Sequence, residues 1–161
     1  MARQTRGTPA LTAAERAGIA FTVHEFAHDP DAGSYGLAAA QALGVDPARV
    51  FKTLVVAVDG ARLVVAVIPV AARLNLKALA AAAGGKRADL AEPQVAERAT
   101  GYVVGGISPL GQRRRLPTIV DDSALRHERI FVSAGRRGLD IELAPADLIH
   151  LTGATTASIA T

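Results

Sequence analysis

A few residues in this chain have the chemistry to handle a charged or activated substrate. Lys52 stands in Phe51-Lys52-Thr53, at the start of an apolar, β-branched run. An ammonium on a core strand is costly unless it meets a partner or a cleft, although at a strand end it can also reach out to water. Gly105-Gly106 opens a loop that continues as Ile107-Ser108-Pro109. Paired glycines let main-chain N–H groups approach a ligand with no Cβ in the way, and such donors can hold a carbonyl oxygen as charge develops on it; the same pair also makes a plain tight turn. Alternation puts Ser133 on one face with Phe131, and Asp140 on one face with Glu142. Across the intervening turn Ser133 and Asp140 can meet, either to orient a small polar substrate or as an ordinary polar sheet face. Two arginine clusters, Arg113-Arg114-Arg115 and Arg136-Arg137, set positive charge close in sequence to the loop and to this turn. Such charge draws phosphate-bearing partners.

Other chemistries find little support. With no cysteine, disulfides, zinc–thiolate sites and a thiol nucleophile are excluded. Gly106 to Gly111 matches the start of a P-loop, but Gln112 and Arg113 stand where that motif needs Lys and then Ser or Thr. Pro117 also argues for a strand where a helix should follow. There is no G-x-G-x-x-G fingerprint. The spacing of the histidines, His24, His28, His127 and His150, does not by itself build a Ser-His-Asp triad. His24 and His28 are four apart, which suits a metal on a helix, but the local pattern is extended and no H-E-x-x-H occurs, so neither metal nor cofactor is expected. Aromatic residues are 4% and tryptophan is absent, too few for a base-stacking sheet of the RRM kind.

The elements that must position these groups are legible. Thr8-Pro9 opens a helix that Gly18 closes, and Phe21 to Phe26 alternates as a strand. Ser34 can cap a helix running to Leu43, and Asp46-Pro47 starts a short helical turn. Phe51–Val58 and Arg62–Pro69 flank Asp59-Gly60, a hairpin whose unbroken apolar character places it centrally in a sheet. Asn75 caps a helix ending at Gly84-Gly85, and Glu92 to Ala99 reads as another. Tyr102 to Val104 is strand-like into the glycine loop, and Pro117 to Val120 is a strand out of it. Asp121-Asp122 caps a helical turn. Ile130 to Ser133 and Leu139 to Leu143 form a second hairpin, and Pro145 begins a last helix ending near Gly153.

The pattern predicts one α+β domain over residues 1–161, built around one curved sheet, with 1–7 and 154–161 flexible. Net charge is +3. No apolar run follows Arg3 and Arg6 as in a signal peptide, and no apolar segment reaches membrane-spanning length, so a cytoplasmic location is expected.

Three ordered stretches carry a family resemblance: FKTLVVAV from Phe51, TGYVVGGISPLGQRRRLPTIVD from Thr100, and FVSAGRRGLDIEL from Phe131. Together they resemble the YbaK/EbsC family of aminoacyl-tRNA deacylases, over a span from about Pro9 to Ile149. The resemblance implies a barrel-like mixed sheet with surrounding helices and a trans-editing enzyme that can work with prolyl-tRNA synthetase. It implies Cys-tRNA(Pro) as substrate, with Ala-tRNA(Pro) or another mischarged tRNA, or a non-catalytic tRNA- or synthetase-binding module, as the alternatives. On the same ground Lys52 is the essential lysine, with Gly105 and Gly106 beside it in catalysis. Thr53, Ile107, Ser108, Pro109, Ser133 and Asp140 would contact substrate, with Phe26 where the family often has Tyr. For cysteinyl esters the implied chemistry is substrate-assisted, the thiol attacking its own carbonyl. Arg113, Arg114, Arg115, Arg136 and Arg137 would meet tRNA phosphates.

Overall fold

The computed structural model describes residues 7–27 and 35–161, residue 35 by its backbone alone. The predicted caps at Ser34 and the position of His28 lie outside that range.

Helix α1 (Pro9–Ala17) begins where Thr8 Oγ1 accepts from Leu11 N at 3.2 Å and ends on Gly18 in the left-handed region. Strand β1 (Phe21–Glu25), helix α2 (Tyr35–Leu43) and a 3₁₀ turn at Pro47–Arg49, capped by Asp46, follow. Strands β2 (Phe51–Val58) and β3 (Arg62–Pro69) pair through a turn in which Asp59 and Gly60 both take positive φ, the geometry that makes Asp-Gly a hairpin signal. Asn75 caps α3 (Leu76–Ala82); β4 (Ala88–Leu90) and α4 (Pro93–Thr100) follow it. Strand β5 (Thr118–Asp121) leads to a 3₁₀ turn (Asp122–Arg126) capped by Asp121. The second hairpin, β6 (Ile130–Arg136) and β7 (Leu139–Leu143), precedes α5 (Pro145–Thr152) and β8 (Thr155–Ala157).

The fold is α+β, but the strands form two sheets rather than one curved, barrel-like sheet. A five-stranded sheet runs β4-β2-β3-β5-β8, and a three-stranded antiparallel sheet runs β1-β7-β6. The backbones of β2 and β6 meet only at an isolated bridge, Val50 to Phe131, so among the described residues no barrel closes. As its apolar character predicts, the β2–β3 hairpin is central. The main core lies between the sheets, where Val55, Val65 and Val67 meet Ile130, Val132 and Ile141. A second core packs α3 and the C-terminal segment on the other face of β2–β3.

Two local expectations are corrected. Residues 102–104 are turn, not strand: α4 ends on left-handed Gly101, and Tyr102 drops straight into the core, donating to the Leu110 carbonyl at 2.7 Å. Burial pushes its phenol up to about 12. The C-terminal segment is not frayed. β8 pairs with β5, Ile159 is fully buried, and the Asp121 carboxylate accepts from the Ile159 and Ala160 amides at 3.0 and 3.1 Å. Small polar composition concealed a strand because its partner donor-and-acceptor set lies far away in sequence. β4 escaped for the opposite reason, being three residues long with two exposed.

Candidate active site

The N-terminal end of β2 and the β6–β7 hairpin face each other across a cavity of about 450 Å³. Phe51 is buried under β2 and anchors the strand end. Lys52 and Thr53, which follow it, line the cavity. Burial lowers the Lys52 pKa from its ordinary value, because desolvation disfavours the ammonium. None of the described carboxylates lies within ion-pair distance of it. Thr53 Oγ1 is buried with no hydrogen-bond partner among the described residues.

Opposite them, Ser133 and Asp140 are directly paired in the β6–β7 register and both line the cavity. After this pair the register slips, the next partners being Arg136 and Leu139, so the turn folds in toward the cavity mouth. The Ser133 hydroxyl oxygen accepts from Gly135 N at 3.1 Å, which leaves its proton available. The Asp140 carboxyl is 7% exposed and accepts from no described residue. Burial pushes it up to about 7. A carboxyl held so near neutrality by desolvation is a ready counter-charge for an incoming cation. Phe26 extends β1, its amide donating to the Gly138 carbonyl, and its ring supplies apolar wall.

The glycine loop splits. Gly105 and Ile107 line the cavity, and the N–H of neither donates to a described residue. Gly106 does not line it, and its amide is committed to the Val103 carbonyl at 2.8 Å. Of the two glycine amides expected at a carbonyl, the Gly106 amide is thus already bonded within the protein, and the residue also allows a close approach. A Cβ on Gly106 would lie 2.7 Å from Arg136 Cα, and one on Gly105, which has φ near +95°, would run into Arg137 Nε. The paired glycines let two loops lock together. Ser108 and Pro109 likewise do not line this cavity. Ser108 is fully buried, its Oγ accepting from Leu110 N and its carbonyl from Gln112 Nε2, while Pro109 faces a different cavity.

The arginine clusters divide too. Arg136 pairs with Glu25 at 3.3 Å, and Arg137 donates to the Val104 carbonyl at 3.0 Å, tying the hairpin turn to the glycine loop at the cavity wall. Arg113, Arg114 and Arg115 are exposed and absent from this cavity. The amides of Arg113 and Arg114 are clipped to the carbonyls of Thr100 and Ala99, at the opposite end of α4 from Pro93, which faces the cavity.

One cluster was not foreseen. Glu142, two residues beyond Asp140 on the same face, receives His24 Nε2 at 2.9 Å and Arg49 at 3.4 Å, and the Arg49 guanidinium lies over the Phe131 ring at 5.1 Å. The alternation of β7 marks Glu142 as facing the same way as Asp140; nothing in the sequence brings Arg49 to it. No group of described residues has the makings of a metal site.

These features, an unobstructed cavity with one lysine, one near-neutral carboxyl and no histidine in its described wall, suit a substrate that is already activated. The comparisons agree. The chain belongs to the aminoacyl-tRNA editing domain family, whose model matches residues 30–151. It is an aminoacyl-tRNA deacylase by that membership. It is 39% identical over 154 residues to the Enterococcus faecalis protein EbsC, described as a candidate Cys-tRNA(Pro)/Cys-tRNA(Cys) deacylase, covering 96% of this chain and 93% of that one. It is 30% identical over 110 residues to Bacillus subtilis YwhH, covering 68% and 69% of the two chains. A solved structure described as a candidate trans-editing enzyme for prolyl tRNA synthetase superposes with a TM-score of 0.83 at 25% identity, covering 95% of both chains.

Proposed function

We propose that this chain acts in trans on tRNA charged with the wrong amino acid, and that its substrate is Cys-tRNA(Pro). The observation that carries the reading is that one cavity is lined by a buried Thr53 Oγ1 with no described partner, a partly buried Lys52 and, across from them, an Asp140 carboxyl that burial pushes up to about 7. An unsatisfied buried polar group costs about 1–3 kcal/mol, so a ligand atom that reaches the Thr53 hydroxyl is favoured, and a cation that reaches Asp140 relieves its desolvation.

An aminoacyl ester offers matching atoms. Its α-ammonium meets Asp140, which becomes ionised as the cation approaches, and Ser133 donates to the remaining lone pairs. Lys52 holds the ester or ribose oxygens of the terminal adenosine, and Thr53 donates to the same end. The Gly105 and Ile107 amides, which have no described acceptor, are placed to receive the carbonyl oxygen as it gains charge. The chain has no cysteine, and no histidine lines the described cavity to activate the Ser133 or Thr53 hydroxyl. A cysteinyl substrate carries its own nucleophile. Its thiol sulfur bonds to the carbonyl carbon and the ester C–O bond breaks. The thiol proton passes to the departing ribose oxygen, leaving a β-thiolactone and free tRNA. The protein's part is orientation and oxyanion stabilisation. Association with prolyl-tRNA synthetase and a cytoplasmic location go with this reading; no helix among the described residues is long and apolar enough to cross a membrane.

The test is a panel of Cys-, Ala- and Ser-tRNA(Pro), assayed with and without prolyl-tRNA synthetase. Selective release of cysteine, with thiolactone trapped as product, is expected. Equal rates on Ser-tRNA(Pro) would remove the substrate-assisted step, and preference for Ala-tRNA(Pro) would reassign the substrate.

A further inference from the structure

A second, polar cavity of about 210 Å³ lies apart from the first and shares no lining residue with it. Arg114 and Arg115 form part of its wall, with Gln112, Thr118 and Thr152 around them. Its hydroxyl protons are already used: Thr118 Oγ1 donates to the Leu116 carbonyl and Thr152 Oγ1 to the Leu148 carbonyl. Gln112 gives one amide hydrogen to the Ser108 carbonyl. The donors left are the guanidinium groups and the second Gln112 amide hydrogen. Neither arginine has a carboxylate within ion-pair distance among the described residues. The Arg115 Nη2 lies beside Gly153, 2.9 Å from where a Cβ there would be, at the C-terminal end of α5.

Two adjacent guanidiniums on the wall of a polar cleft, without counter-charge, are built for a phosphate, which planar forks bind bidentately. We infer that this cleft takes one backbone phosphate of the RNA whose esterified end enters the first cavity. The inference rests on the deacylase reading above. Helix α4 joins the sites, with Pro93 at the first cavity and Ala99 carbonyl-bonded to the Arg114 amide. The two cavities are thus separate places on one helix, and the phosphate held by the arginines belongs to a nucleotide inward of the esterified one.

Fluorescence anisotropy with an uncharged acceptor-stem microhelix and with the trinucleotide CCA, each titrated at several salt concentrations, tests this. Arg114→Ala combined with Arg115→Ala should weaken microhelix binding about tenfold and lower its log–log salt slope by about 0.7 to 0.9, the loss of one phosphate contact. CCA, too short to reach the cleft, should bind both proteins alike. Arg114→Ala alone, whose side chain makes no described hydrogen bond, should shift the microhelix in the same direction without risk to folding. Arg126→Ala removes an exposed charge elsewhere and should change nothing. Equal weakening by Arg126→Ala, equal weakening of CCA, or an unchanged salt slope would each overturn the inference. Deacylation by the same preparations is scored separately: a parent protein that binds the microhelix in this way but releases no amino acid would sink the deacylase reading and leave the cleft standing.

Discussion

Gly106 lies so close to Arg136 that a methyl group on it would sit 2.7 Å from the Arg136 Cα. Backbone meets backbone there, and neither side can give way as a flexible side chain would. Gly106→Ala should therefore cost about 1–3 kcal/mol, the usual range for overpacking, and lower deacylation by pushing the loop that carries Gly105 and Ile107. Urea midpoints and initial rates check both effects. An alanine variant of parental stability and rate would mean that the two loops can separate freely.

Lys52→Ala is expected to fold, because the side chain lines the cavity and makes no described ion pair. Its kcat/KM on Cys-tRNA(Pro) should drop by about 10²-fold or more, the scale of losing one charged group that stabilises a transition state. Circular dichroism alongside single-turnover kinetics separates folding from chemistry.

Thr53→Val should move stability and activity in opposite directions. The hydroxyl is buried without a described partner, so an isosteric methyl should stabilise the free protein by about 1 kcal/mol. If the hydroxyl serves the substrate, the same change should lower kcat/KM roughly tenfold. Thermal denaturation and deacylation of one preparation suffice, and full activity in the valine variant would remove Thr53 from the site.

Asp140 predicts a pH dependence. Its carboxyl sits at about 7 in the folded protein against an ordinary 3.8, so the folded chain holds this proton longer than the unfolded one. Its contribution thus makes folding less favourable as pH rises from about 4 to about 7 and stays level above that. Asp140→Asn should flatten this slope in denaturant titrations across the window. In the free enzyme, kcat/KM should rise as Asp140 ionises near 7 and fall again at alkaline pH as Lys52, whose pKa is lowered, loses its proton. The asparagine variant should lose the acid limb.

Asp121 ties the C-terminal segment to β5 through the Ile159 and Ala160 amides while also accepting from Ser123. Asp121→Ala should cost about 2–4 kcal/mol and release hydrogen-exchange protection at residues 159 and 160 first.

How much of this was readable depended on the reach of each interaction. The β2–β3 hairpin, the Ser133–Asp140 pairing and the caps at Thr8, Asp46 and Asn75 follow from short-range rules, and the structure has them. The pairing of Thr155–Ala157 with β5, the Arg49–Glu142 contact and the parting of the strands into two sheets are long-range, and no local pattern encodes them. The glycine pair was legible as a close approach, but not what approached it. The sequence suggests a ligand, whereas the nearest atoms belong to Arg136 and Arg137. Tyr102 shows the same limit. Val103 and Val104 beside it have strand propensity, but the buried phenol and its bond to Leu110 decide the backbone.

Lys52 belongs to the five-stranded sheet and Asp140 to the three-stranded one, and among the described residues the backbones meet in an isolated bridge at Val50 and Phe131. The gap between the ammonium and the carboxyl is therefore set by how Val55 and Val67 seat against Val132 and Ile141, none of which carries charge. Directed evolution of amino-acid preference would then have two handles: the cavity wall itself, and silent-looking exchanges in that seam, which alter the span between the charges without touching either.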